Sequence, residues 1–227
     1  MSRCSQEFTT RYFDEYGSYR SPHHPVVEAF VRPKIDLIER YVDLTGVKCL
    51  LDIGCGNGLF TEHLRTRCRC VGLGISRRML QRAEGFPVLQ ADAACLPFAA
   101  NTFDVVFCAN LLHHLPHPQQ AVEEMARVSA AWVIVVEPNA ANPPMWIFGL
   151  LRRAERGTLG SSRGYLRDLM EGAGLEIMFL HSTGMITQNL TPQWMIPFLR
   201  PCDRLSPFGA YTVVVARCPE RNSGHRK

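Results

Sequence analysis

Three groups of residues in this chain have the types and spacing to do chemistry. Asp52 is followed by glycines at alternate positions, Gly54, Gly56 and Gly58, directly after the apolar run Cys49-Leu50-Leu51. Glycines so spaced remove Cβ atoms where a loop must bend, and they let a ligand lie against the backbone. The pattern is one residue short of the Gly-x-Gly-x-x-Gly that brings a pyrophosphate onto a helix N-terminus. An acid leading the glycines suits a ligand with hydroxyl and ammonium groups; by itself the triplet is equally a tight turn. Asp92 follows a second apolar stretch, and His113-His114 follows a third. Imidazoles that titrate near neutrality suit general-base work or the positioning of an acceptor.

The elements around these groups alternate between strand and helix patterns. Apolar strand runs at Cys49–Ile53, Cys70–Leu73, Pro87–Gln90, Val105–Cys108 and Trp132–Val136 are interleaved with helical patterns at Leu59–Arg65, Arg77–Glu84 and Gln119–Val128. That alternation predicts an α/β fold with a parallel sheet wrapped by helices. Open sheets of this kind bind ligands at the carboxyl ends of their strands, so one cleft can collect Asp52, Asp92 and His113. Two amphipathic pieces come first, Glu7–Tyr19 and Pro25–Leu44; Pro33 inside the second predicts a break or kink. After Glu137-Pro138 the rhythm stops until a helix at Ser161–Gly172 and strands at Leu175–His181 and Ala210–Arg217.

Composition narrows the function classes. The chain has 227 residues, 20% charged, with a net charge of +4 that is spread along it. Without a basic stripe and a recognisable module, no nucleic-acid partner is expected. Nine scattered cysteines point to a reducing cytoplasm, and Cys68-x-Cys70 lacks a second ligand pair, so no metal is expected. Met1 is followed by polar residues, so no signal peptide is expected, and no apolar run is long enough for a bilayer span.

Taken in order, these segments resemble the class I S-adenosylmethionine-dependent methyltransferases, in the small-molecule, type 11-like group. Leu50–Gly58 resembles the first motif and Val71–Ser76 the end of the second strand. Gln90–Ala93 with Leu96-Pro97-Phe98 resembles the loop after the third. Asn101–Phe107 leads into the fourth strand, and Leu111-Leu112-His113-His114-Leu115 follows it. The likeness is close over residues 47–137 and holds in outline elsewhere. It implies a Rossmann-like fold with a seven-stranded, mostly parallel sheet whose last strand is antiparallel. It also implies a single domain over 1–227, with an N-terminal helical cap (1–46), a cofactor-binding core (47–137) and apolar cap insertions (138–160 and 183–209).

The implied cofactor is S-adenosylmethionine. The resemblance places Asp52, Gly54, Cys55, Gly56 and Asn57 along its methionine part, Gly74 and Ile75 beside the ribose, Asp92 and Ala93 on the adenine, and Asn110 and Leu111 beneath the sulfonium. One position departs from the family: at the end of strand two an acid normally takes both ribose hydroxyls, and this chain has Gly74. Losing such charge-assisted bonds costs about 1.5–3 kcal/mol, which a nearby group such as Ser76 could offset. The departure keeps open an alternative, a catalytically silent methyltransferase-like binding or scaffold subunit. A nicotinamide-dependent oxidoreductase is disfavoured by the glycine spacing and the missing acid.

His113 and His114 are the candidates for base or acceptor positioning. The two insertions, rich in Trp, Phe, Met, Ile and Pro, favour a small apolar or aromatic acceptor, with Trp146 and Trp194 as substrate-binding candidates. O-methylation is favoured over N- or C-methylation. Asn142-Pro143-Pro144-Met145 is discounted as an amine-methylating motif because it follows strand five and not strand four. Met145–Leu151 with Arg152-Arg153 could touch a membrane surface peripherally. Tyr12, Tyr16 and Tyr19 are candidates to close the cofactor pocket. The sequence sets no oligomeric state.

Overall fold

The computed structural model describes residues 12–14 and 19–219. Tyr16, most of the amphipathic piece Glu7–Tyr19 and the tail Glu220–Lys227 lie outside the described residues.

Seven strands form one sheet in the order β3-β2-β1-β4-β5-β7-β6. They are β1 (Cys49–Ile53), β2 (Arg69–Gly74), β3 (Val88–Gln90), β4 (Phe103–Ala109), β5 (Ser129–Pro138), β6 (Glu176–Thr183) and β7 (Tyr211–Arg217). All pairings are parallel except those of β7, which runs antiparallel to both β5 and β6. The strand order reverses between β1 and β4, the switch point at which open sheets part to admit a ligand. Asp52 stands near the carboxyl end of β1, paired with Phe107 of β4.

Side chains alternate across each strand, so the apolar runs feed two cores. Leu50, Val105, Phe107, Ile134 and Val136 pack with Phe30, Ile35 and Ile38 of α1 (Pro25–Ile38) on one face. Leu51, Ile53, Val106, Cys108, Val133 and Val135 face the other way. There they meet α4 (Pro118–Val128) through Ala121, Val122 and Met125, and α6 (Arg163–Gly172) through Leu166 and Met170. Each fully buried aliphatic side chain contributes roughly 1.5–3 kcal/mol, so the strand ends are held by rigid walls.

Two elements differ from expectation. α1 runs through Pro33 without a break, and the Lys34 ammonium donates back to the Phe30 carbonyl at 2.7 Å, adding a bond where the helix ladder is weakened. After β5 the chain is not irregular. Asn142 caps a helix, α5 (Pro143–Leu151), by accepting from Met145 N, with Pro143 and Pro144 in the first turn. A 3₁₀ segment (Arg153–Gly160) follows. The helices at Thr61–Leu64 (α2), Arg77–Leu80 (α3) and Ile196–Leu199 (α7) are single turns.

Candidate functional site

The glycine loop closes directly onto the next strand. The amides of Gly54 and Cys55 both donate to the Leu73 carbonyl, at 2.7 and 3.0 Å, so the chain turns sharply at the end of β1. Gly54, Gly56 and Gly58 have φ of 77°, 57° and 83°, a region that other residues adopt at a cost. Gly54 is constrained twice, since a Cβ there would stand 3.0 Å from Leu111 Cδ2. Asp52 is buried and accepts from Thr61 Oγ1 at 2.5 Å; burial pushes its carboxyl up to about 7, against the pull of that hydrogen bond. Asn57 donates through Nδ2 to the Arg20 carbonyl at 3.1 Å. The Arg20 guanidinium in turn donates to the carbonyls of Gln188 and Thr191, so residues at 20 tie the glycine loop to the second insertion.

The floor comes from β2 and β3. The Ala91 amide donates to the Gly74 carbonyl and Gln90 Nε2 to the Ile75 carbonyl. Ser76 caps α3 by accepting from Met79 N at 3.2 Å. Asp92 Oδ1 accepts from Ala94 N at 2.9 Å, shaping the loop after β3. Glu124 and Arg127 of α4 clamp that loop by bonding the Leu96 amide and the Leu96 and Phe98 carbonyls. Between these loops lies a cavity of about 370 Å³. Its lining includes Asp52, Gly54 to Asn57, Gly74, Ile75, Asp92, Ala93, Asn110 and Leu111. All eleven residues that the resemblance assigns to the cofactor therefore border one space.

The roof follows β4. Asn110 has φ of 53°, a left-handed conformation that asparagine tolerates, and its side-chain Nδ2 donates to Gln188 Oε1. The turn after it is organised by Glu137, fully buried at the end of β5. Its Oε1 accepts from the amides of Leu111 and Leu112, and its Oε2 meets His113 Nδ1 at 2.6 Å. His113 Nε2 faces Glu155 Oε2 at 3.3 Å. Burial alone would lower the His113 pKa, but Glu137 and then Glu155 outweigh it and raise it to about 9, so this imidazole is a buried cation. His114 behaves oppositely: burial, and then the charge on His113, push it down to about 4. Its Nδ1 bonds the Ala154 carbonyl, which leaves Nε2 as an acceptor. Gly157 lets the 3₁₀ segment press directly onto the His113 carbonyl, where no Cβ would fit.

A smaller cavity of about 90 Å³ adjoins on this side, walled by Met145, Phe148 and Glu155 of the first insertion, Thr187 to Leu190 of the second, and Tyr12 and Tyr211. Phe13, Tyr19, Asn110, His114 and Gln188 line both cavities. His113 borders only the smaller one and His117 only the larger. Of the other histidines, His24 caps α1, His23 lies beside Glu62 and His181 sits on β6.

Trp146 and Trp194, expected on the acceptor side, border neither of these two cavities and are 45% and 71% exposed. On α5, Met145 and Phe148 face inward at i and i+3, which turns Trp146 out. In the second insertion Ile196 and Leu199 pack on the core while Trp194 and Phe198 point to solvent. Sequence reasoning also missed Glu137 and Glu155. A glutamate ending the apolar run Trp132–Val136 was the available signal for the first, and Glu155 offered none. Among the described residues, His113, His114 and Glu155 form the one group with donor atoms close enough, within 4.8 Å, to hold a metal ion.

Residues 51–131 match the family described as a methyltransferase domain. Similar proteins include a ubiquinone biosynthesis O-methyltransferase of Chromobacterium violaceum, 30% identical over 99 residues, covering 39% of this chain and 42% of that protein. The methyltransferase GfsG of Streptomyces halstedii is 33% identical over 127 residues, covering 50% and 45%. The chain thus spans less than half the length of these two relatives. In structure it is similar to an S-adenosylmethionine-dependent methyltransferase, a possible histamine N-methyltransferase, of Thermotoga maritima, with a TM-score of 0.70 at 19% identity over 94% of this chain and 99% of that one. It is also similar to the magnesium protoporphyrin IX methyltransferase of Synechocystis with bound S-adenosylmethionine, with a TM-score of 0.57 at 15% identity over 94% and 96%. Residues 51–131 are therefore a methyltransferase domain of the class I, S-adenosylmethionine-dependent kind, in the type 11 group.

Proposed function

We propose that this chain is an enzyme that transfers a methyl group from S-adenosylmethionine to a small apolar or aromatic acceptor, with oxygen favoured as the receiving atom. The observation that carries this reading is the junction of the two cavities, where His114 and Asn110 border both the cofactor-sized space and the smaller, apolar-walled one. The cofactor supplies an activated methyl group on a sulfonium. The protein has to align the acceptor with it and keep water away. Phe13 and Tyr19 from the N-terminal cap and Met145 and Phe148 from the first insertion supply apolar walls for that purpose.

In this reading His114 faces the acceptor and His113 positions it. His114 Nε2 is a neutral acceptor that can receive the hydrogen bond of a hydroxyl. A base with a pKa of about 4 is too weak to ionise a free phenol. It suffices once the new C–O bond forms, because the oxonium proton is far more acidic than an imidazolium. Glu155 Oε2, 3.9 Å from Nε2, can share the proton. His113, charged between two carboxylates, holds the loop that presents His114. Oxygen is favoured because similar proteins are named O-methyltransferases, although only part of each is matched. A reducing, cytoplasmic setting belongs to the same reading, from the scattered placing of the nine cysteines in the sequence.

Gly74 favours a second reading, a silent methyltransferase-like subunit. The test is incubation with methyl-labelled S-adenosylmethionine and paired acceptors, apolar phenols against the matching anilines. Label on phenolic oxygen is expected. Label on neither, from a folded chain that binds the cofactor, would favour the silent subunit.

A further inference from the structure

Resting on the cofactor reading above, we propose that Asp14 supplies the carboxylate that holds the cofactor ribose, in place of the acid that Gly74 leaves out. A Cβ at Gly74 would stand 3.3 Å from Leu80 Cδ2, a tight contact that a small shift of the leucine would relieve. Two residues further on, Ser76 borders the large cavity and donates its hydroxyl proton to Asp14 Oδ1 at 2.5 Å. A hydroxyl has one proton to give, so this bond defines Asp14 as the acceptor. Arg78 Nη1 donates to the Asp14 carbonyl at 2.6 Å and fixes the backbone over the same corner.

The neighbours of Asp14 support this placement. Phe13, immediately before it, and Ser76, its hydrogen-bond partner, both line the cavity, so Asp14 stands directly behind the lining at this corner. A ligand stretched from the glycine loop to Asp92 must pass Ile75 and Ser76, the corner on which Asp14 is pinned. In the cofactor reading the other two acids serve other parts of the ligand, Asp52 the methionine part and Asp92 the adenine. A carboxylate offers about four acceptor positions, and Ser76 engages one of them on Asp14. A vicinal diol is the ligand group that such an acceptor recognises. The acid is thus delivered by a segment distant in sequence, and the site is complete only when residues 12–14 are docked.

Calorimetric titration of the whole chain separates this role from its rivals. Wild type and Asp14→Asn are each titrated with S-adenosylhomocysteine and with its 2′,3′-dideoxyribose analogue; a thermal melt of each verifies folding. Asparagine keeps an oxygen for Ser76 and removes the charge. We expect Asp14→Asn to bind S-adenosylhomocysteine about tenfold to a hundredfold more weakly and the dideoxy analogue as well as wild type does. Unchanged affinity for S-adenosylhomocysteine would overturn the proposal. So would an equal loss for both ligands, which would make Asp14 an anchor of the segment and no more. Wild type that binds neither ligand would instead overturn the methyltransferase reading itself.

Discussion

The larger cavity is walled by backbone and by short side chains from the ends of β1, β2 and β3, with its shape set by left-handed glycines and amides bonded to the neighbouring strand. The smaller cavity is walled by side chains from two insertions and organised by a buried charge network, Glu137–His113–Glu155, beside a neutral His114. Backbone geometry makes the first site rigid, with Asp52, pushed up to about 7 by burial, as a titrating group in its wall. Opposed burial and charge make the second responsive to pH and to single charge changes. In the proposed reading, one half of the molecule holds a constant ligand and the other tunes an acceptor.

That contrast can be broken most sharply at Glu137. Glu137→Ala leaves the buried His113 cation and three loop amides without their partner, and should cost about 3–5 kcal/mol in urea unfolding. A loss below about 1 kcal/mol would mean that the network does not organise the loop.

The next effect is on pH dependence. His113 is raised to about 9 from 6.5, so its contribution to stability is full below 6.5 and is lost as pH rises through about 9. His114 is lowered to about 4, so its contribution is present above 6.5 and is lost as pH falls toward 4. Lys34, lowered to about 7 by burial against the attraction of Asp203, gives a slope opposite to that of His113 between 7 and 10.5. Comparison with His113→Gln therefore isolates the network: wild type should lose on the order of a few kcal/mol relative to the variant between pH 6.5 and 9. Parallel curves would contradict a charged His113.

Gly54→Ala tests the other region. Left-handed backbone with a Cβ costs about 1–2 kcal/mol, and contact with Leu111 adds to it. Cofactor affinity should fall about tenfold or more without any new pH dependence; an unaltered dissociation constant would mean that the loop does not touch the ligand. The smallest effects are expected at Trp146→Ala and Trp194→Ala, within about 0.5 kcal/mol of wild-type stability and with turnover unchanged. A large rise in acceptor KM at either would restore them to the acceptor site.

The same division explains what the sequence disclosed. Asp52, the glycine triplet, Asp92 and Asn110-Leu111 sit at strand ends and are shaped by local backbone geometry, so the resemblance carried by their order gathers them around one cavity, and the antiparallel last strand followed from the same resemblance. Glu137, Glu155 and Asp14 act through contacts made only after folding, with partners far along the chain. Trp146 lies outside both cavities because its direction depends on the phase of α5. That helix was itself overlooked, although Asn142-Pro143-Pro144 is a helix start. Pro33 was weighed as a local breaker, whereas packing of α1 through Phe30, Ile35 and Ile38 overrides it.

The most direct test of the central claim, that the cavity under the glycine loop binds S-adenosylmethionine, is amide hydrogen exchange with and without that cofactor. The account predicts slowed exchange over residues 54–58, 74–76 and 92–94, with no change on the exposed face of α5. Unchanged exchange throughout a folded chain at saturating cofactor, or protection confined to other segments, would contradict it.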